Sequence, residues 1–121
     1  MMTNSEIYEA YLNAVLTGDH ETAAQYLADD FTFKGPMMTA NSKEEFFANA
    51  SPQLAAMNRG INSLQQFEKG DELCAIYEWN IETPVGKGAV YMVEWVKVRD
   101  GQLASARLVF DSAQFSALMP G

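Results

Sequence analysis

The sequence predicts an α+β domain in which N-terminal helices pack on one face of a curved antiparallel sheet. The leading part of the chain carries helix-capping signals and apolar residues at intervals of three and four, the period of an amphipathic helix. From residue 61 onward, apolar and polar residues alternate in segments separated by short turns, as in strands. Helices followed by a run of strands favour segregated α+β layers. A chain of 121 residues suits one core, so residues 1–121 are expected to form a single domain.

Two helices are predicted at the start of the chain. Thr3 and Glu6 have the spacing of a capping box, in which each side chain binds a free backbone N–H at the start of a helix. Gly18 can adopt the left-handed conformation that ends this helix. Asp19 follows at the position where it can cap a second, short helix.

A short strand and a third helix are predicted next. Residues 31–34 alternate with period two, and the Gly-Pro pair at residues 35–36 stops the strand. Ser42 and Glu45 repeat the capping-box spacing, so a third helix is expected to start there. Pro52 lacks an N–H and is poorly tolerated inside a helix. We therefore expect a break or kink, with the helix restarting at Pro52.

Four further strands are predicted in the second half of the chain. Their limits are residues 61–68, 72–82, 87–98 and 102–111. The joints between them are short, so consecutive strands should pair as antiparallel hairpins.

The predicted strand over residues 87–98 is apolar on both of its faces. One face carries Val90, Met92, Val96 and Val98, and the other carries Tyr91, Val93 and Trp95. The helices can cover only one face of the sheet, and a large exposed apolar patch usually marks an interaction site. We therefore expect a homodimer through the other sheet face.

Composition excludes several classes of function. The formal net charge is -8 and the 8 basic residues are scattered along the sequence, which argues against nucleic acid and anionic membranes as partners. Cys74 is the only cysteine, expected in the core, and His20 is the only histidine, expected in solvent. No disulfide, metal site or cofactor is therefore predicted. The acidic start is unlike a signal peptide and no apolar run approaches the roughly 20 residues of a membrane span, so a cytoplasmic location is expected.

Two stretches resemble the nuclear-transport-factor-two-like (NTF2-like) superfamily. They are YLNAVLTGDHETAAQYLADDFTF at residues 11–33 and VEWVKVRDGQLASARLVFD at residues 93–111. Together with the order of elements, the resemblance covers nearly the whole chain. SnoaL-like polyketide cyclases and ketosteroid isomerases share this fold. The resemblance implies a cone-shaped domain with one pocket, which the superfamily uses for isomerisation, cyclisation, dehydration, epoxide hydrolysis or binding alone.

The resemblance also implies roles for individual positions. Tyr11 matches the oxyanion-binding tyrosine of the ketosteroid isomerases, and Glu94 falls where those enzymes carry a protonated aspartic acid. Gly35 stands at the position of their proton-abstracting aspartate, so the base of that reaction is missing. The catalytic aspartate of the SnoaL-like cyclases falls at Leu108.

Strand alternation predicts one pair of carboxylates in the pocket. If Ile76 lies opposite Glu94, then Glu78 pairs with Met92, and both glutamates point to one face about 7 Å apart. Burial and mutual repulsion would raise at least one pKa, which makes Glu94 a neutral donor beside Tyr11 and Glu78 an acceptor. Alternatively, either glutamate lies at the pocket rim or pairs with an arginine.

Three other acids are interpreted as structural. Asp29 and Asp30 lie in the predicted joint between the second helix and the first strand, where polar residues are expected. Asp111 is expected to cap a terminal helical turn rather than to act in the pocket.

The apolar residues of the helices and strands predict a ligand pocket. Met37 and Met38 follow a Gly-Pro turn, and methionines in a loop suit the mouth of an adaptable pocket. The predicted lining is Tyr8, Phe31, Phe33, Met37, Met38, Phe47, Leu54, Met57, Met92, Leu108 and Phe110. The first hypothesis is binding of a small hydrophobic molecule. The alternatives are a cofactor-independent isomerase, cyclase or dehydratase that uses Tyr11, Glu78 and Glu94, and a protein-interaction module with a filled pocket.

Overall fold

A computed structural model describes residues 2–119, without the side chains of residues 50–52. Its elements are α1 (Asn4–Thr17), α2 (His20–Gln25), β1 (Leu27–Lys34), β2 (Thr39–Ala40), α3 (Lys43–Met57), β3 (Asn58–Lys69), β4 (Glu72–Glu82), β5 (Lys87–Arg99), β6 (Gln102–Phe110) and α4 (Ser112–Ser116). The strands form one curved sheet in the order β2-β1-β6-β5-β4-β3, with the N-terminal helices on one face. The predicted α+β class is therefore confirmed. In the described part of the chain, no helix is long and apolar enough to cross a membrane.

The sheet is mixed rather than antiparallel throughout. The meander from β3 to β6 is antiparallel, as the short joints predict. β1 pairs in parallel with β6, with Phe33 beside Ala106, and the two-residue strand β2, which was not predicted, pairs antiparallel with β1. Because α3 and the whole meander lie between β1 and β6 in sequence, no tight turn forces these strands to run in opposite directions. The prediction of an antiparallel sheet is wrong at this pair.

The expected capping residues set the helix boundaries. The Thr3 side chain accepts a hydrogen bond from the Glu6 N–H, and the Glu6 carboxylate accepts one from the Thr3 N–H, which completes the capping box. Gly18 ends α1 in the left-handed conformation, with φ of 78°. Asp19 and Asp111 cap α2 and α4, so the structural interpretation of Asp111 holds.

The expected interruption of the third helix at Pro52 is not found. α3 is continuous over Lys43–Met57, and it begins at the predicted cap, where the Ser42 hydroxyl accepts a hydrogen bond from the Glu45 N–H. A proline removes one backbone donor from a helix, whereas the neighbouring turns keep theirs. The prediction of a restart at Pro52 is therefore wrong.

Asp29 and Asp30 lie inside a strand rather than in a joint before it, because β1 starts at Leu27. Asp29 forms an ion pair of 3.0 Å with Lys43, and Asp30 forms one with Arg99. The hydrogen bond from the Arg99 guanidinium holds the pKa of Asp30 below its ordinary value. Both carboxylates are exposed and away from the core, in keeping with a structural or solvated role.

The strands β4 and β5 have two distinct faces, because buried and more exposed residues alternate along both. The inner face carries Leu73, Ala75, Tyr77, Trp79 and Ile81 on β4, and Val90, Met92, Glu94, Val96 and Val98 on β5. On the outer face, Tyr91 is 50% and Trp95 45% exposed. Cys74 also lies on this outer face, where it is partly exposed, so its predicted place in the core is wrong.

Candidate ligand-binding site

A cavity of about 630 Å³ lies between the helices α1 and α3 and the inner face of the sheet. Its wall is mostly aromatic and aliphatic. The polar side chains in the wall, apart from two tyrosines and a tryptophan, are Asn49, Gln53, Thr83 and Glu94. This volume and this composition are typical of sites that enclose a small molecule.

Glu94 is the only buried charged side chain among the described residues, with 2% of its surface exposed. It lies in the cavity wall because it belongs to the inward-facing set of β5, between Met92 and Val96. The Tyr8 hydroxyl donates a hydrogen bond of 2.6 Å to Glu94 Oε1. Burial raises the pKa of Glu94 to about 7, and the hydrogen bond from Tyr8 opposes that rise. Both the protonated and the ionised forms are therefore populated at neutral pH.

Three tyrosines lie close to the Glu94 carboxyl group. Burial first, and then the charge of Glu94, raises the pKa of Tyr8, Tyr11 and Tyr77 well above the ordinary value, so their hydroxyls stay protonated at neutral pH. Tyr11 was expected beside Glu94, and it does line the cavity with Tyr77. The hydrogen bond to Glu94 nevertheless comes from Tyr8, three residues earlier on the same face of α1.

The second predicted carboxylate, Glu78, lies on the opposite face of the sheet. Ala75 rather than Ile76 pairs with Glu94, and Glu78 pairs with Tyr91. A one-residue difference in register turns each side chain of a strand to the other face. The predicted pair of carboxylates is therefore absent from the cavity.

The hairpin loop explains this difference in register. Residues 83–86 form the loop, in which the N–H groups of Thr83 and Gly86 each bind the carbonyl oxygen of the other. The predicted pairing required a loop of residues 84–86, and the longer loop moves the pairing by one residue. On the outer face, Glu78 accepts a hydrogen bond from the Asn62 amide at 3.3 Å.

Most of the predicted lining residues lie in the cavity wall. They are Phe33, Met37, Met38, Leu54, Met57, Met92, Leu108 and Phe110. Tyr8, Phe31 and Phe47 lie outside the wall. Phe31 is fully buried and packs edge-on against Phe46, whereas Phe47 stacks on His20 with 5.4 Å between ring centroids. Consecutive helical residues point in different directions, so Phe46 reaches the cavity and Phe47 faces α2.

Several wall residues were not predicted. They include Tyr77 and Trp79 on β4, Asn49 and Gln53 on α3, Thr83 in the hairpin loop, and Phe115 and Met119 near the end of the chain. Periodicity alone could have found Tyr77 and Trp79. Every second residue of β4 is buried, and these two continue the series that begins with Leu73 and Ala75. The remaining residues reach the cavity only through the packing of α3, the loop and α4.

Two positions that the resemblance assigns to catalytic acids lie in the wall without a carboxyl group. They are Gly35 and Leu108. A Cβ atom at Gly35 would lie 3.1 Å from Phe33 Cε1, so a side chain there requires the Phe33 ring to move. Within residues 2–119, no group of His, Cys, Asp and Glu side chains is arranged to hold a metal ion. Acid–base chemistry in this cavity therefore depends on Glu94.

Helices on a curved six-stranded sheet with a cavity between them define the NTF2-like class of folds. Within that class, the chain belongs to the SnoaL-like domain family, whose model matches residues 8–106. No curated protein matches the sequence.

Solved structures with the same fold include proteins with different described activities. An NTF2-like protein of unknown function from Burkholderia pseudomallei has 15% identity and a TM-score of 0.84, with 100% of both chains covered. A putative SnoaL-like polyketide cyclase from Shewanella putrefaciens has 12% identity and a TM-score of 0.84, covering 98% of this chain and 86% of its own. An LEH-like epoxide hydrolase from M. tuberculosis has 17% identity and a TM-score of 0.76, covering 95% and 88%. At these identities the similarity shows the fold alone.

Proposed function

We propose that the protein binds an uncharged hydrophobic small molecule in the cavity, with a polar group of the ligand hydrogen-bonded to Glu94. The position of Glu94 carries this proposal. It is buried in the wall of a largely apolar cavity of about 630 Å³. Among the described residues, only Tyr8 donates a side-chain hydrogen bond to it, and that bond reaches one oxygen. A carboxyl group has further hydrogen-bonding positions, which a ligand can occupy.

The charge of the cavity wall limits the ligand class. The described wall includes no lysine, arginine or histidine, and the chain has a net charge of -8. Transferring an anion from water into a site without a cationic partner costs roughly several kcal/mol of desolvation free energy. A carboxylate or phosphate ligand is therefore disfavoured. Protonated Glu94 can donate to a carbonyl or hydroxyl oxygen. A ketone, an ester or an alcohol on an apolar skeleton therefore fits the site best.

A matched pair of probes tests this ligand class. We expect 2-acetylnaphthalene to bind about tenfold or more tightly than 2-naphthoate, which has the same rings but an anionic group. Binding can be measured from the NMR shifts of the methionine methyl groups, since Met37, Met38, Met57, Met92 and Met119 line the cavity. Affinity for the ketone should fall as pH rises through about 7, because the protonated donor is lost. Equal binding of the carboxylate would contradict the proposal.

A Glu94→Gln variant provides the control for pH. Glutamine keeps a hydrogen-bond donor and does not titrate, so ketone binding should persist and become independent of pH. If ketone binding still depended on pH in this variant, the dependence would come from a group other than Glu94.

Filling the cavity is expected to weaken ligand binding without unfolding the protein. Leu108 lies in the wall, and a Leu108→Trp substitution would occupy ligand space and weaken ketone binding about tenfold or more. The matched control is Val109→Trp, because Val109 is 57% exposed on the neighbouring, outward-facing position of the same strand. Equal loss of binding in both variants would show that the probe does not occupy the cavity.

Acid–base catalysis on the bound molecule is the second candidate. Its support is the pKa of Glu94 near 7, which suits a group that donates and accepts protons at neutral pH. The reaction classes are still isomerisation, cyclisation and dehydration. Glu94 and Tyr11 would be the acting side chains, and Glu78 is left out because it lies on the outer face of the sheet. Loss of turnover in Glu94→Gln, with ligand binding retained, would support this candidate. The filled-pocket alternative has no support, because the cavity is open.

A further inference from the structure

A groove of about 290 Å³ lies on the outer face of the sheet, on the opposite side from the ligand cavity. Strands β1, β2, β5 and β6 form its walls. Three of the chain's 8 basic residues line it, namely Lys34, Lys97 and Arg107. The described lining includes no aspartate or glutamate, although the chain has 16 acids. The groove is therefore a positively charged region on a protein with a net charge of -8.

Two of these basic side chains lie directly beside each other. β1 and β6 run in parallel, and Lys34 pairs with Arg107 in their register. Neighbouring strands are about 4.8 Å apart, so two positive charges lie side by side on one face of the sheet. Like charges in this arrangement destabilise a sheet. An anion bound between them would remove that cost.

The other basic residues of the chain have acidic neighbours. Three of them form ion pairs with an acid, and three lie opposite a glutamate in the strand register. The first group is Lys43, Arg59 and Arg99, and the second is Lys69, Lys87 and Lys97. Among the described residues, Lys34 and Arg107 have neither kind of partner, because their remaining register partners are Thr39 and Trp95. Their positive charge is therefore uncompensated within the described part of the chain.

Hydroxyl groups lie next to the two cations. Thr32 and Ser105 pair with each other, two residues before Lys34 and Arg107 on the same strands. Side chains two residues apart point to the same face of a strand, so both hydroxyls line the same groove. A hydroxyl can donate a hydrogen bond to an anion. The groove therefore combines two free positive charges with two neutral donors.

Trp95 and Lys97 form the β5 side of the groove. Lys97 Nζ lies 5.1 Å from the centroid of the Trp95 ring, and the indole N–H donates a hydrogen bond of 2.7 Å to Glu72 on β4. Glu72 also lies opposite Lys97 and offsets part of its charge, which leaves Lys34 and Arg107 as the main anion-binding groups. Because its ring lies in the groove wall, Trp95 can report binding.

We propose that this groove binds the phosphoryl group of a small phosphate monoester, held between Lys34 and Arg107. A phosphate monoester carries a charge of about -1.5 to -2 at neutral pH, which matches two basic side chains. The Arg107 guanidinium can donate two parallel hydrogen bonds to phosphate oxygens, and Lys34 supplies a point charge. The hydroxyls of Thr32 and Ser105 are further donors. A carboxylate has fewer oxygens and a smaller charge, so it would satisfy fewer of these groups.

The charge of the remaining chain favours a small ligand over a polyanion. A nucleic acid or an anionic membrane would extend beyond the groove and meet the surface of a protein whose net charge is -8. A groove of about 290 Å³ suits one phosphoryl group with a small substituent. The site is separate from the proposed function, because Glu94 and the cavity lie on the other face of the sheet.

Titration with phenyl phosphate tests the proposed site. The indole N–H signal of Trp95 should shift saturably in NMR spectra, with a dissociation constant of about 1 mM or lower. Sodium chloride at the same ionic strength should not reproduce this shift, because it supplies screening without a bidentate acceptor. Lys34→Gln and Arg107→Gln should each weaken binding about tenfold or more, since each removes one charge-assisted contact.

Lys87→Gln is the matched control, because it removes the same charge at an exposed position of β5 opposite Glu82. It should bind phenyl phosphate within about twofold of the wild type, and far-UV circular dichroism should show that all three variants fold. The absence of a saturable Trp95 shift would overturn the proposal. So would equal weakening in all three variants, or binding to vesicles that contain phosphatidate without binding of phenyl phosphate.

Discussion

Replacing Glu94 with glutamine is expected to make the free energy of unfolding less dependent on pH. The wild type should lose about 3 kcal/mol through Glu94 as pH rises, and the variant should not. The ordinary pKa of this carboxyl is 4.5, and burial raises it to about 7 in the folded protein. Between these pH values the folded state holds the proton and the unfolded state releases it. The stability contributed by protonated Glu94 is therefore complete below pH 4.5, falls as pH rises, and is lost above about pH 7.

The measurement is urea unfolding followed by circular dichroism at one fixed protein concentration, from about pH 4.5 to about pH 8. The difference in stability between wild type and Glu94→Gln should change steadily over this range, with the variant gaining relative to the wild type as pH rises. Glu21→Gln, at an exposed position of α2, is the matched control and should run parallel to the wild type. If the Glu94→Gln curve also ran parallel, the carboxyl would not be buried in the cavity wall.

Replacing Tyr8 with phenylalanine is expected to lower the free energy of unfolding by about 1–3 kcal/mol. The variant loses the donor of the 2.6 Å hydrogen bond to Glu94, and the carboxyl stays buried. Because this bond opposes the rise in the pKa of Glu94, its loss should raise that pKa further. The fall in stability with rising pH should then extend to higher pH. The decrease in the free energy of unfolding caused by Tyr8→Phe should be larger at about pH 8 than at about pH 5, because hydrogen bonds to an ionised acceptor are stronger.

Carboxyl-carbon NMR of Glu94 would report the pKa, and urea unfolding would report the stability. Tyr26→Phe is the matched control, because it removes a hydroxyl whose described contact is a long, exposed one with Met2 Sδ at 3.8 Å. We expect a change within about 0.5 kcal/mol for that variant. An unchanged pKa of Glu94 in Tyr8→Phe would contradict the assignment of Tyr8 as its donor.

The two predictions together describe an acid that is retained at a cost to stability at neutral pH. An apolar side chain at position 94 would avoid that cost and would still suit the surrounding core. The proposed hydrogen bond from Glu94 to a ligand would give this acid a role that offsets the cost.

Local chemistry made much of the fold predictable. The caps at Thr3, Asp19 and Ser42 satisfy backbone donors within a few residues, so their effect does not depend on distant parts of the chain. The burial of Glu94 was predictable for a similar reason. Met92 and Val96 lie two residues before and after it in β5, and side chains two residues apart point to the same face of a strand. All three side chains therefore lie on the apolar face.

The predicted partners of Glu94 depended on geometry that is not local. Glu78 was assigned to the cavity from an assumed loop length, and one additional loop residue reversed its face. Tyr11 and Tyr8 share one helix face, so periodicity does not distinguish which of them meets Glu94. The packing of α1 on the sheet brings the Tyr8 hydroxyl, three residues before Tyr11, within hydrogen-bonding distance of Glu94.

The sequence by itself determined most of the helices and strands, apart from β2 and the first half of β1, and which side of β5 is buried, since caps and periodicity act over a few residues. Only the tertiary structure decided the register of β4, the parallel pairing of β1 with β6, and the residues that enclose Glu94. These depend on contacts between residues far apart in the chain. Their positions follow from the closure of loops and the packing of helices on the sheet, which no short-range pattern encodes.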